Sequence, residues 1–237
     1  MKYPKKKKPA VALPAHRFAF IAHELKGTLA AAMQNLYALK DGYFGAVSDE
    51  QKKIIATSLT YLGYFDSMMK NLFMFERIGE KMFVPVLRPT TLDTVILPAA
   101  ASIRTIAEQR RLTIGTDIAP GIIVPADSGM LAAAIMNILG NAASYASAGG
   151  CITVRAVAQA SRVTIDIYND GTPIAARDVK KLFRKFSRLD RDADHIAGTG
   201  LGLFIARAII KKHRGSIACV PRSTGNSFVI TLPLSRT

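Results

Sequence analysis

Asn137 and Asn141 stand four residues apart in MNILGNAASYA, a stretch otherwise made of apolar and small residues. Four residues is close to one turn of helix, so both side-chain amides project from the same face. An amide on an apolar stripe costs free energy unless it is hydrogen-bonded, which leaves two uses for the pair. Either the two side chains cap or bridge structure, or their carbonyl oxygens hold Mg2+ and the phosphates of a nucleotide. Tyr145, one turn further on, is spaced to offer a ring to a base.

Two other segments have the residue types of a phosphate or base site. GTGLGLFIARAIIKKH opens a helix on Gly198, Gly200 and Gly202, so backbone amides and a helix N-terminus can approach an anion without a Cβ in the way. It is not a P-loop, because GxxxxGK[ST] is missing, and no strand leads directly into it as a dinucleotide fingerprint requires. In IYNDGTPI, Asn169, Asp170 and Gly171 follow a strand-like run and suit a tight turn. Such a turn leaves a polar side chain for a purine amino group, or is simply a turn.

His23 lies beside Glu24 in FIAHELKGTL. A histidine on an amphipathic helix is ordinarily solvated or hydrogen-bonded scaffolding; its other use is as a nucleophile, since an unperturbed pKa near 6.5 leaves a neutral imidazole at neutral pH.

The elements that must position these groups follow from periodicity. Phe20, Leu25, Leu29, Met33, Leu36 and Leu39 form one helical stripe within about residues 11–40, and Ile54, Ile55, Leu59, Leu62, Phe65, Met69, Leu72 and Phe73 another within 49–78. Between them DGYFGAVSDE supplies turn residues and an N-cap at Ser48. The second stripe is too long for a hairpin to bury alone, which predicts dimerisation into a four-helix bundle. Gly79, Pro85 and Pro89 mark a boundary, and we expect a basic arm at 1–10, a helical hairpin over 11–80 and a second domain over 81–237. In the latter, helices are expected near 91–109, 127–145, 176–184 and 201–213, with Pro98 an awkward guest in the first. Five strand-like runs, RLTIGTDI, GCITVRAVA, RVTIDIYN, GSIACVP and NSFVITLPL, make it an α/β layer domain.

Composition narrows the classes. The chain has 237 residues, 49% of them hydrophobic, and a net charge of +15. It carries no apolar run of the roughly 18 to 20 residues that span a bilayer, and its start does not read as a cleavable signal. Cys151 and Cys219 lack metal-ligand spacing and read as free thiols of a reducing compartment, which suggests the cytoplasm. The positive charge suits nucleic acid, an anionic membrane or an acidic protein; no nucleic-acid motif accompanies it. The lysines at 5–8 read as an arm outside the fold, in a position suited to membrane or sensor-domain attachment.

In order along the chain, HELKGTL, NILGNAASY, NDGTPI, LFRKFSRLD and GTGLGLFIARAIIKKHRGSI resemble the phosphoacceptor, N, first glycine, F and second glycine boxes of the sensor histidine kinases of two-component systems. The resemblance covers about residues 16–235. It implies a dimeric four-helix bundle from antiparallel hairpins, followed by an α/β sandwich of the Bergerat type that binds ATP and Mg2+. It implies that His23 accepts phosphate with Glu24 orienting or deprotonating it, and that Asn141 holds Mg2+ while Asn137 assists at the phosphates. Tyr145, Asn169, Asp170 and Gly171 would serve the base end, with Asn169 at the family's adenine-recognising aspartate. Phe183 and Phe186 would anchor a lid over about 187–199, Arg188 or Arg191 would meet the γ-phosphate, and Gly198, Gly200, Leu201 and Gly202 would line the nucleotide. The partner would be the receiver domain of a response regulator.

Several positions depart from the family. Gly27 and Thr28 replace the polar residue and proline after the phosphoacceptor, which predicts weak phosphatase activity unless Thr28 substitutes. Ser144 stands where a basic residue commonly touches phosphate, leaving that role to Arg184 or Lys185, and Pro173 replaces a glycine. The gyrase-type and chaperone ATPases share the fold but use a glutamate where this chain has Asn137, which cannot act as a general base. The remaining alternative is a degenerate kinase that serves as a phosphotransfer or docking scaffold.

Overall fold

The computed structural model describes residues 15–79, 84–189 and 199–234, with the side chains of 15–23 and 79 outside the description. Two helices come first, α1 (Ala15–Lys40) and α2 (Asp49–Gly79). A reciprocal cap starts α2: the Ser48 amide donates to Gln51 Oε1 at 2.8 Å and the Gln51 amide to Ser48 Oγ at 3.2 Å. By contact density the chain divides after Phe73, so the last turn of α2 goes with the second unit.

In the first unit, Leu29 and Ile55 are the buried apolar side chains among the described residues. Leu25, Leu39 and Phe65 stay 38% exposed, and Ile54 stays 66% exposed. The stripes read from the sequence are therefore present but largely uncovered within one chain.

The second unit is built on a five-stranded sheet in the order β2-β4-β5-β7-β6. Its strands are β2 (Thr113–Ile118), β4 (Cys151–Gln159), β5 (Arg162–Asp170), β6 (Ser216–Arg222) and β7 (Gly225–Pro233). β2 runs parallel to β4 and the other pairings are antiparallel, so the sheet is mixed. A small ladder, β1 (Arg88–Thr91) with β3 (Ile123–Ala126), adds two strands that the sequence did not announce, because both are four residues long and contain proline.

Strand alternation sorts the sheet into two faces. Val163, Ile165, Ile167 and Asn169 of β5 are buried together with Ile152, Val154, Phe228, Ile230 and Leu232. They meet Leu131, Ile135, Ile138 and Leu139 of α5 (Ser128–Tyr145) and Ile205 and Ile209 of α7 (Gly202–Lys212). Each such side chain contributes about 1.5 to 3 kcal/mol on burial, which makes α5 and α7 integral to the core. The opposite face is polar, with ion pairs Arg155–Asp117 at 2.8 Å and Arg222–Asp166 at 3.6 Å.

Two helical expectations change. The predicted helix over 91–109 divides into α3 (Asp93–Ser102), with Pro98 inside it, and α4 (Arg104–Gln109). Ile103 leaves helical geometry at φ −94° and its amide reaches back three residues to Ala100. The predicted helix over 176–184 is a single turn, α6 (Ala176–Val179). Beyond it the amides of Lys181, Leu182, Arg184 and Ser187 each bond a carbonyl three residues back, the pattern of successive tight turns.

Candidate functional site

The N-terminus of α5 is held by Asp127, whose Oδ1 accepts from the Met130 amide at 3.0 Å while Oδ2 accepts from the Val86 amide at 3.2 Å. The Asp127 amide donates to His213 Nε2 at 3.0 Å, and His213 Nδ1 is 2.8 Å from the Ile209 carbonyl. A carbonyl only accepts, so Nδ1 carries the proton and Nε2 is the acceptor. His213 is 1% exposed and joins the end of α7 to the start of α5. Neither residue stands out in the sequence: Asp127 falls inside the helix expected over 127–145, and the partners of His213 lie 86 and 4 residues away.

Along α5, the half-buried face carries Asn137, Gly140, Asn141, Ser144 and Tyr145. α7 lies against it: a methyl built on Gly202 would stand 3.3 Å from Asn137 Oδ1. Leu201 is 2% exposed beneath this contact. Gly200 sits at φ +68°, and a methyl there would be 2.7 Å from the Phe186 carbonyl carbon. The entry to α7 thus comes close both to the N-box amide and to the segment after Phe183, as only residues without Cβ allow. Gly198 and Arg191, and with them residues 190–198 of the expected lid, lie outside the described residues.

At the other end of α5, Gly171 sits at φ +132°, where a methyl would be 2.6 Å from the Tyr145 carbonyl oxygen. The turn after β5 is therefore pressed against the last turn of α5. Asn169 is 1% exposed, and its Nδ2 donates to the Asp170 carbonyl at 2.7 Å. That bond fixes the amide orientation and leaves Oδ1 as an acceptor. Asp170 turns to the other face of the sheet, with its carboxylate beside Gly150 and its Oδ1 buried without a hydrogen-bond partner among the described residues. Asn226, 3% exposed, supports the loop from behind: its Oδ1 accepts from the Ile174 amide at 2.9 Å and its Nδ2 donates to the Thr172 carbonyl at 3.0 Å. The sequence had marked Asn226 only as the start of a strand.

The F-box side chains part company. Phe183 is 7% exposed, with the Arg207 guanidinium 5.6 Å from its ring centroid. Phe186, expected as a second anchor, is 63% exposed at φ +57°, its ring centroid 5.9 Å from that of Phe75. The Lys185 ammonium stands 4.7 Å from the Phe75 centroid and 5.4 Å from that of Phe204. Ser144 turns its hydroxyl back to the Gly140 carbonyl at 2.8 Å, and Arg188 is exposed. In the first unit, Glu24 is exposed and Thr28 donates to its carbonyl at 3.0 Å; the His23 side chain lies outside the description.

Residues 126–236 match the family of histidine kinase-, DNA gyrase B- and HSP90-like ATPases. Sensor-like histidine kinase SenX3 of Mycolicibacterium smegmatis is 27% identical over 220 residues, covering 91% of this chain and 56% of that protein. Sensor histidine kinase CusS of Escherichia coli K12 is 27% identical over 217 residues, covering 91% of this chain and 44% of CusS. Along nine-tenths of its length the chain is thus similar to sensor histidine kinases. Among solved structures, full-length ShkA in complex with AMPPNP has the same fold at a TM-score of 0.71 and 21% identity, over 95% of this chain and 47% of ShkA. The chain spans about half the length of the curated relatives it matches. Among its described residues no helix is long and apolar enough to cross a membrane.

Proposed function

We propose that the chain is the catalytic core of a two-component sensor kinase: it binds Mg·ATP along α5 and α7, phosphorylates His23 and passes the phosphoryl group to an aspartate of a response regulator. The observation that carries the reading is the approach of Gly202 to the Asn137 amide, because it joins the two asparagines to a glycine-opened helix N-terminus. The donor set suits the ligand: amide oxygens are hard donors for Mg2+, and the glycine-opened start of α7 offers backbone amides to a phosphate.

In this reading Asn141 holds Mg2+, which supplies charge neutralisation at the phosphates, and Asn137 orients them. Asn169 Oδ1 accepts from the adenine amino group, Tyr145, Asp170 and Gly171 complete the base end, and Phe183, Phe186 and Arg188 belong to the lid root. The neutral His23 imidazole attacks the γ-phosphorus; a phosphorus–nitrogen bond forms, the bond to the bridging oxygen breaks, ADP leaves, and Glu24 takes the imidazole proton. The absence of a carboxylate at Asn137 favours this transfer over hydrolysis.

The exposed stripe residues Leu25 and Leu39 of α1 and Ile54 and Phe65 of α2 support dimerisation through the hairpin into a four-helix bundle. Thr28 spends its hydroxyl on the Glu24 carbonyl and Gly27 has no side chain, which supports weak phosphatase activity. The two free thiols and the need for ATP support a cytoplasmic location.

Incubation with γ-labelled ATP tests the proposal. Acid-labile, alkali-stable label on the wild type and none on His23→Ala is the expected result; label persisting on the mutant overturns it. ATP binding with no label on either protein favours a docking scaffold instead.

A further inference from the structure

The last turn of a helix leaves carbonyls without intrahelical partners, and α5 ends with no glycine to turn the chain back onto them. Arg110 takes that role from outside the helix. One guanidinium nitrogen donates to the carbonyls of Ala143 and of Ser144, the latter at 2.6 Å, and the other donates to Ala146 at 2.9 Å. The Arg110 carbonyl also accepts from the Gly149 amide at 3.0 Å, so one residue grips both the end of α5 and the loop that follows. The grip is aimed by the turn after α4, in which Arg111 sits at φ +56° and the Leu112 amide reaches the Ala107 carbonyl at 2.8 Å. A side-chain-bearing residue in that region carries backbone strain, borne here while Arg110 faces the helix end.

The turn that Arg110 caps is the one that carries Tyr145, whose carbonyl oxygen is pressed against Gly171. Asn137 and the glycines of α7 lie two turns away. We propose that Arg110 is a positioning residue for the nucleobase end of the site: it holds the last turn of α5 in the register that lets Tyr145 and Asn169 read an adenine, and leaves the phosphate end alone. The inference rests on the nucleotide reading given above. Three charge-assisted bonds to backbone carbonyls are among the stronger neutral-to-cation contacts a side chain makes. Without them the turn frays and base contacts are lost before phosphate contacts.

The test compares affinities of the full chain for Mg·ATP and for Mg·purine riboside triphosphate, which lacks the amino group, by displacement of a fluorescent nucleotide. The wild type should prefer ATP. Arg110→Ala should bind ATP roughly tenfold more weakly and lose most of that preference, while the affinity for the analogue, which has only the Tyr145 contact to lose at the base end, falls less. Arg110→Lys, which keeps the charge but not the fork, should fall between the two. A folding defect lowers both affinities together and leaves their ratio unchanged, so the ratio separates positioning from stability. An unchanged preference in Arg110→Ala, or in Arg110→Lys should the alanine variant fail to fold, overturns the inference. A wild type that binds neither nucleotide overturns the nucleotide reading itself, and this inference with it.

Discussion

Gly202 and Asn137 meet at the junction of α7 and α5, with 3.3 Å between Asn137 Oδ1 and the point where a Gly202 methyl would lie. The amide therefore has one direction in which to present its oxygen, and the missing Cβ is what leaves that direction open. Gly202→Ala should displace the Asn137 side chain by a few tenths of an ångström while adding a better helix former. We expect nucleotide affinity to fall about five- to tenfold with stability changed by less than about 1 kcal/mol, read by fluorescent-nucleotide titration beside thermal melting. Unchanged affinity would show that the contact is packing alone.

Gly171 is the sterner case, since its neighbour is backbone. A methyl at φ +132° and 2.6 Å from the Tyr145 carbonyl cannot be accommodated by a rotamer change. Gly171→Ala should cost about 2 to 4 kcal/mol and lower the melting temperature by roughly 5 to 15 °C. A melting temperature equal to that of the wild type would mean that the turn is free to shift.

Asn226 makes two hydrogen bonds that straddle Pro173 in the loop after Gly171. Asn226→Ala leaves the Thr172 carbonyl and the Ile174 amide without their partner, at about 1 to 3 kcal/mol. Asn226→Asp keeps the acceptor for Ile174 but loses the donor for Thr172, and should be destabilised as well. Denaturant melts of the two variants read this; a neutral Asn226→Asp would assign the loop to its own turn chemistry.

The two cysteines should differ in reactivity. Burial pushes the Cys219 thiol up from 9.0 to about 11, so it stays protonated through the neutral range. Because the thiolate is the nucleophile, an alkylating reagent at pH 8 should label the partly exposed Cys151 first and reach Cys219 only on unfolding, as peptide mass spectrometry would record. The same shift has a stability consequence. The unfolded thiol ionises from about pH 9 while the folded one holds its proton, so this contribution to stability is complete below pH 9 and is lost as pH rises toward 11. Equal labelling of both cysteines in the native protein would contradict the burial.

How much could be read before the fold was known varies by element. The five long strands and α5 and α7 were legible because period two and period 3.6 are stamped on Val163 to Asn169 and on Met130 to Ala142 by one-sided burial. The β1–β3 ladder was not, since four-residue strands carry too little pattern to stand out from loop. The helix expected over 176–184 shortened to α6 for a different reason: the residues beyond Val179 have helical types, but Phe183 turns into the core and successive three-residue turns replace the α-helical pattern.

For the proposed site, residue types and their chain order single out Asn137, Asn141, Asn169, Gly171 and Gly202, because the proposed phosphate and base contacts would need those side chains, or their absence, whatever surrounds them. What the tertiary structure alone decided is who holds them. Arg110, His213 and Asn226 act through contacts 33 to 86 residues away along the chain. No local pattern marks such residues, since a hydrogen bond to a distant backbone group depends on where the fold brings that group and not on the neighbours in sequence.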